Sequence, residues 1–224
     1  MPVRISPQHA SVLPLDEFLF SGLHHVLVRN LATMGYYRPT EIQKTVVPAV
    51  LSGHDALMTA DNSLHLATAA LLPIVHRLLT TPVLRDKKKP ACVIVTKSAK
   101  QARELFGIAL DLSQGTSNSC SLETGDFEME GLGATILVTP MSLLCRLLSK
   151  RESYLTSCKF LVVMDQERED LKRAPREVFW SKEARQTLVL GESLSDGIQE
   201  AAQDIMRKDY LFIFVENHSI ANTN

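Results

Sequence analysis

The stretch Thr96-Lys97-Ser98-Ala99-Lys100-Gln101 puts hydroxyls and two cations directly after an apolar run that ends at Val95. At the start of a helix this mixture suits phosphate, because backbone N–H groups and ammonium groups converge on an anion. A second basic cluster, Lys87-Lys88-Lys89, sits in a polar, proline-bracketed loop over residues 80–90. It reads first as a solvated loop tip and second as a nucleic-acid contact. Residues 167–176 form a dense mixed-charge segment with Phe179 and Trp180 just beyond it. The two aromatics either pack beneath that segment or offer a docking patch to a partner. The four cysteines, Cys92, Cys120, Cys145 and Cys158, show no C-x-x-C spacing and no nearby histidine pair. They suit reduced core thiols better than zinc ligands or a disulfide framework, so no metal site is read from them.

These residues need a scaffold, and the chain is long enough to supply one. Its 224 residues are 45% apolar and 22% charged, ordinary values for a globular protein. A net charge of −1 gives no global attraction to nucleic acid or to acidic membranes, so any RNA contact must be local. No apolar run approaches the ~18 residues of a membrane span, and no signal-peptide layout opens the chain, which makes a cytosolic or nuclear address the default. Strands are predicted over residues 56–60, 91–96, 119–123, 134–139, 160–165, 186–191 and 210–216. Several are continuous apolar runs, such as Leu161-Val162-Val163-Met164, the pattern of strands buried on both faces. Helices are predicted over 22–34, 41–51, 65–79, 99–112 and 194–206. The alternation predicts an α/β, doubly wound, mainly parallel sheet of about seven strands with helices on both faces and right-handed crossovers. The apolar Leu143-Leu144-Leu147-Leu148 cluster reads as core.

Residues 35–43 read GYYRPTEIQ: a glycine, three variable residues, Pro39-Thr40, two more residues and Gln43, with Phe18 placed 17 residues upstream of Gly35. This resembles the Q motif of the DEAD-box RNA helicases. The resemblance continues in order along the chain. Val47-Pro48 and Gly53-His54-Asp55 fall where that family has Ile-Pro and Gly-Arg-Asp. Thr139-Pro140 resembles the start of Thr-Pro-Gly-Arg, and Val163-Met164-Asp165-Gln166 stands where Val-Leu-Asp-Glu belongs. Residues 186–190 fit the strand before Ser-Ala-Thr, while 194–199 and 209–215 resemble the closing helix and strand of the first lobe. The match implies a RecA-like first helicase lobe over 18–216, most like the Vasa-type group, with an N-terminal extension at 1–17 and a tail at 217–224.

The same resemblance shows what has been lost. The family's Ala-x-Thr-Gly-Ser-Gly-Lys-Thr falls on residues 60–67, which read ADNSLHLA, anchored downstream by Leu71-Leu72-Pro73. Ser63 and His65 replace glycines that let the backbone approach phosphate, Leu66 replaces the lysine and Ala67 the metal-binding threonine. His65 does not replace the fixed charge of that lysine. Asp165 keeps a carboxylate for a hydrated Mg²⁺, but Gln166 replaces the glutamate and an amide cannot accept a proton from water at neutral pH. Glu167 points to the opposite face, Arg168 replaces the last aspartate, and Gly191-Glu192-Ser193 replaces Ser-Ala-Thr. The chain also stops where the first lobe stops, without the second lobe that would supply an arginine finger.

The expectation is therefore a non-catalytic domain with no catalytic residue, no metal and no cofactor. Phe18, Pro39, Thr40, Gln43 and Asp165 are its remnant nucleotide-site residues. Thr40 and Gln43 have a second reading as the cap of their own helix, the one their spacing favours. The resemblance implies RNA-backbone contacts at Thr96, Lys97, Lys100, Gly125 and Thr139, enough for weak, salt-sensitive binding. The expected role is a protein-binding adaptor in an RNA-related assembly, of the small-RNA or germ-granule kind that Vasa-type relatives suggest, cytoplasmic and within RNA granules. The alternatives are an ATP-independent RNA-binding module and a residual ATPase completed in trans.

Overall fold

The computed structural model describes residues 3–6, 14–61, 63–81, 89–123, 133–150, 155–166, 168–174 and 182–215. Short apolar runs form the strands β1 (Val3–Ser6), β2 (Ala56–Thr59), β3 (Cys92–Thr96), β4 (Cys120–Leu122), β5 (Ile136–Pro140), β6 (Phe160–Met164), β7 (Gln186–Gly191) and β8 (Leu211–Val215). Amphipathic stretches form α1 (His25–Thr33), α2 (Glu41–Leu51), α3 (Ser63–Thr80), α4 (Ala99–Ser113), α5 (Met141–Lys150), α6 (Arg168–Lys172) and α7 (Asp196–Ile205). The strands form one sheet in the order β1-β8-β2-β7-β6-β3-β5-β4. All neighbours are parallel except β1, which pairs antiparallel with β8, Val3 opposite Val215.

Alternation along each buried strand feeds two cores, one per face of the sheet. Ala56, Met58, Ile94, Phe160, Val162, Met164, Leu188 and Leu190 meet α1 to α4 on one face. Leu57, Val93, Val95, Leu161, Val163 and Val189 meet α5, α6 and α7 on the other. The doubly wound α/β fold is thus as expected. The count is eight strands rather than about seven, because residues 3–6 of the stretch read as an N-terminal extension add an edge strand. Leu144, Leu147 and Leu148 are core residues, as expected. Cys92 and Cys158 are buried and Cys120 and Cys145 half-buried, all as free thiols; burial pushes each of the four thiols up from its usual range. Lys87, Lys88, Phe179, Trp180 and the tail 217–224 lie outside the described residues.

An ion pair with a buried carboxylate ties the start of β2 to the segment after α7. Asp55, 1% exposed, accepts from Arg207 Nη2 at 2.7 Å, from the Arg207 backbone N–H at 2.8 Å and from the Thr187 N–H at 2.9 Å. Arg207 also donates to the Gly53 carbonyl at 2.6 Å, and its partner Asp55 holds the guanidinium above its ordinary range. Among the described residues no helix is long and apolar enough to cross a membrane.

Candidate functional site

Parallel strands end on a common side, where the loops into the following helices collect the candidate residues. At α2, Thr40 and Gln43 form a capping box. The Thr40 hydroxyl accepts from the Gln43 N–H at 3.3 Å, and Gln43 Oε1 accepts from the Thr40 N–H at 2.9 Å. Gln43 is 1% exposed and Pro39 is buried. Phe18 begins a short 3₁₀ turn, Phe18–Phe20, and is 4% exposed within the core. These residues therefore position α2 against the sheet, the cap reading of the sequence, and Phe18 offers no open face on which a base could stack.

Helix α3 begins at Ser63, two residues earlier than expected, so positions 63–67 are helical rather than an open loop. Leu66 is 1% exposed and Ala67 fully buried. The position that would carry a phosphate-binding lysine is packed into the core between helix and sheet. His65 is exposed, and its ring meets Tyr36 edge-on at 6.4 Å. The residues present do not fit a nucleotide triphosphate: they supply no lysine, no magnesium-binding hydroxyl and no glycine turn. In its place is a cavity of about 460 Å³ lined by Val3, Ile42, Ala60 and Val215, with Thr40, Glu41, Asp61 and His65 at its polar margin.

Asp165 follows β6 with φ +50°, a left-handed conformation that aspartate tolerates better than most residues. Both carboxylate oxygens accept hydrogen bonds from protein: Oδ2 from Gln101 Nε2 at 2.6 Å and Oδ1 from the Glu192 N–H at 3.1 Å. Gln101 Oε1 in turn accepts from the Lys97 N–H at 3.0 Å. The network staples together the ends of β3, β6 and β7. Gln166, 1% exposed, donates to the Met164 carbonyl at 3.2 Å. Glu167 lies outside the described residues. Arg168 turns to α7, pairing with Asp204 at 2.8 Å and Glu200 at 3.3 Å, which raise its guanidinium above the usual range.

The expected RNA contacts divide. Thr96 and Thr139 are fully buried, their hydroxyls donating to the Ser98 carbonyl at 3.0 Å and the Pro140 carbonyl at 3.3 Å, so neither presents a hydroxyl to a ligand. They lie within or at the end of strands covered on both faces, which a sequence pattern does not separate from the loop that follows. Lys97 and Lys100 are exposed on a cleft of about 420 Å³ that also takes in Gln101, Asp165, Glu192 and Ser195. Gly125 lies outside the described residues. Sequence reading gave neither Gln101 nor Glu192 a part in holding Asp165. The Ser98-x-x-Gln101 spacing was the available signal, and Ser98 does cap α4, accepting from the Gln101 N–H at 3.2 Å. Among the described residues no cluster of three or more His, Cys, Asp or Glu is placed to hold a metal ion.

No family model matches the chain. It is 28% identical over 223 residues to the probable ATP-dependent RNA helicase DDX4 of Pelophylax lessonae, covering 92% of this chain and 30% of that protein. With ATP-dependent RNA helicase glh-1 of Caenorhabditis elegans it shares 25% identity over 239 residues, covering 97% of this chain and 31% of the other. The chain thus spans about a third of the length of the curated relatives it matches. Among solved structures, a DEAD box protein from Methanococcus jannaschii superposes with a TM-score of 0.74 at 16% identity, over 91% of this chain and 57% of that one. Prp28 from Chaetomium thermophilum bound to ADP gives 0.74 at 18% identity, over 92% and 52%. The homologues of this chain are therefore DEAD-box helicases of the DDX4 and glh-1 kind, and its fold is their RecA-like domain.

Proposed function

We propose that this domain is a non-catalytic member of its lineage that serves as a protein-binding adaptor in an RNA-related assembly. The observation that supports it best is the burial of Leu66 and Ala67, which puts core packing where phosphate and magnesium would be gripped. Asp165 and Gln166 support the same reading, since the first is engaged by Gln101 and Glu192 and the second by its own strand. Losing these groups need not cost the fold, whose stability comes from the two cores of the sheet. The first test is calorimetric titration with Mg·ATP, with and without single-stranded RNA. Phosphate release above the uncatalysed rate in the same samples refutes the non-catalytic reading, and heat that saturates at submillimolar nucleotide refutes the loss of phosphate grip; neither signal, together with specific recovery of protein partners from native cells, supports the adaptor.

A second reading, an ATP-independent RNA-binding module, is favoured by exposed Lys97 and Lys100 beside the start of α4. Replacing both with glutamate then weakens RNA binding at low salt, and unchanged affinity rules this reading out.

A further inference from the structure

The cavity beside α2 and α3 has the character of an apolar docking pocket rather than of an anion site. Its walls are Val3, Ile42, Ala60 and Val215. Helices α2 and α3 both begin at it, and helix starts carry partial positive charge. Each start has its own carboxylate there, Glu41 in the first turn of α2 and exposed Asp61 just ahead of α3. These acids offset the dipoles and repel an incoming phosphate. Glu41 holds Lys44 at 2.7 Å but keeps 64% of its side-chain surface exposed.

At about 460 Å³ the cavity lies toward the small end of binding sites. That volume admits a large apolar side chain with space left beyond it for its neighbours.

We propose that this cavity docks an apolar side chain of a partner protein, carried on a segment whose neighbouring lysines or arginines meet Asp61 and Glu41. The inference rests on the adaptor reading and assigns it a face. The anchor supplies affinity by leaving water, and the rim carboxylates select a basic flank and reject an acidic one.

The test uses the full chain and three sets of labelled peptides, read by fluorescence polarisation. One set has a central Trp, Leu or Met between lysines, one has the same centres between glutamates, and one has alanine between lysines. The lysine-flanked, apolar-centred set binds, and the other two bind roughly tenfold or more weakly. Ile42→Glu, at a half-buried wall position, lowers the affinity of the first set by a similar factor. Asp61→Lys, on an exposed side chain, shifts the preference toward glutamate flanks and serves where Ile42→Glu fails to fold by circular dichroism. The proposal is overturned if no set binds, if centre and flank make no difference, or if Asp61→Lys binds as the parent does. Partners recovered from cells equally by the parent and by folded Ile42→Glu chain would leave the adaptor reading standing and remove this cavity from it. Competition by Mg·ATP would overturn the docking-pocket assignment by making the cavity a nucleotide site.

Discussion

Restoring the missing lysine is a severe test of the claim that position 66 belongs to the core. Leu66 is 1% exposed, in the first turn of α3. In Leu66→Lys the stem methylenes keep part of the packing, but the ammonium must either stay buried or pull away. A buried lysine has its pKa depressed by up to ~3–5 units, each worth about 1.4 kcal/mol down to the working pH, where the group gives up its proton, so full burial costs ~4–5 kcal/mol at neutral pH. Escape toward exposed His65 and Leu64 by snorkelling recovers part of this but forfeits apolar contacts of ~1.5–3 kcal/mol. The expected loss is about 3 kcal/mol. For a domain of this size that lowers Tm by roughly 6–12 °C. Urea unfolding followed by far-UV circular dichroism gives the value, with Leu66→Met as the volume-conserving control, expected within about 1.5 kcal/mol of the parent. A Leu66→Lys chain as stable as the parent and newly able to bind Mg·ATP would refute the reasoning. Position 66 would then face a phosphate site one substitution away from use.

Three further outcomes follow from other contacts. Asp55→Ala leaves Arg207 and the Thr187 N–H without their acceptor and should cost ~3–5 kcal/mol in urea unfolding, against near-neutrality for a surface aspartate. Asp165→Ala should cost ~1–2 kcal/mol by releasing Gln101 and the Glu192 N–H, Asp165→Asn less, and Mg²⁺ should not alter either value. His76 accepts from the His24 N–H at 3.1 Å through Nδ1, and burial, then His24, then Arg77, lowers its pKa. Its unfolded form binds the proton more readily, so stability is full above pH ~6.5 and falls as the pH drops through the lower folded value. Urea midpoints at pH 7.5 and 5.5 should differ, and His76→Asn should flatten that difference.

The parallel sheet was legible because strands covered on both faces must be apolar at every position, as in Phe160–Met164. The α2 cap was legible because Thr40 and Gln43 have the spacing of a capping box. β1 was not. Its four residues, VRIS, alternate between half-buried and exposed, and only pairing with β8 makes them a strand. The burial of Leu66 was hidden for a different reason: resemblance aligns it with a lysine, and alignment says nothing about which side of a helix meets the core. The cavity was invisible because its walls come from residues 3, 42, 60 and 215, which only the closed fold brings together.

The same closure sets a timetable for the chain during synthesis. β2 lies between β7 and β8, and Asp55 at its base waits for Arg207, 152 residues later. At ~5–20 residues per second the ribosome takes about 8–30 s to make that interval. For most of it, until β7 is made, the apolar strand Ala56–Thr59 has neither lateral neighbour, and β1 has no β8 to pair with until the end. The amino-terminal third of this domain therefore waits on its last strand, and a chain ended before residue 207 is expected to keep an unpaired edge on β2, the kind of edge that promotes aggregation.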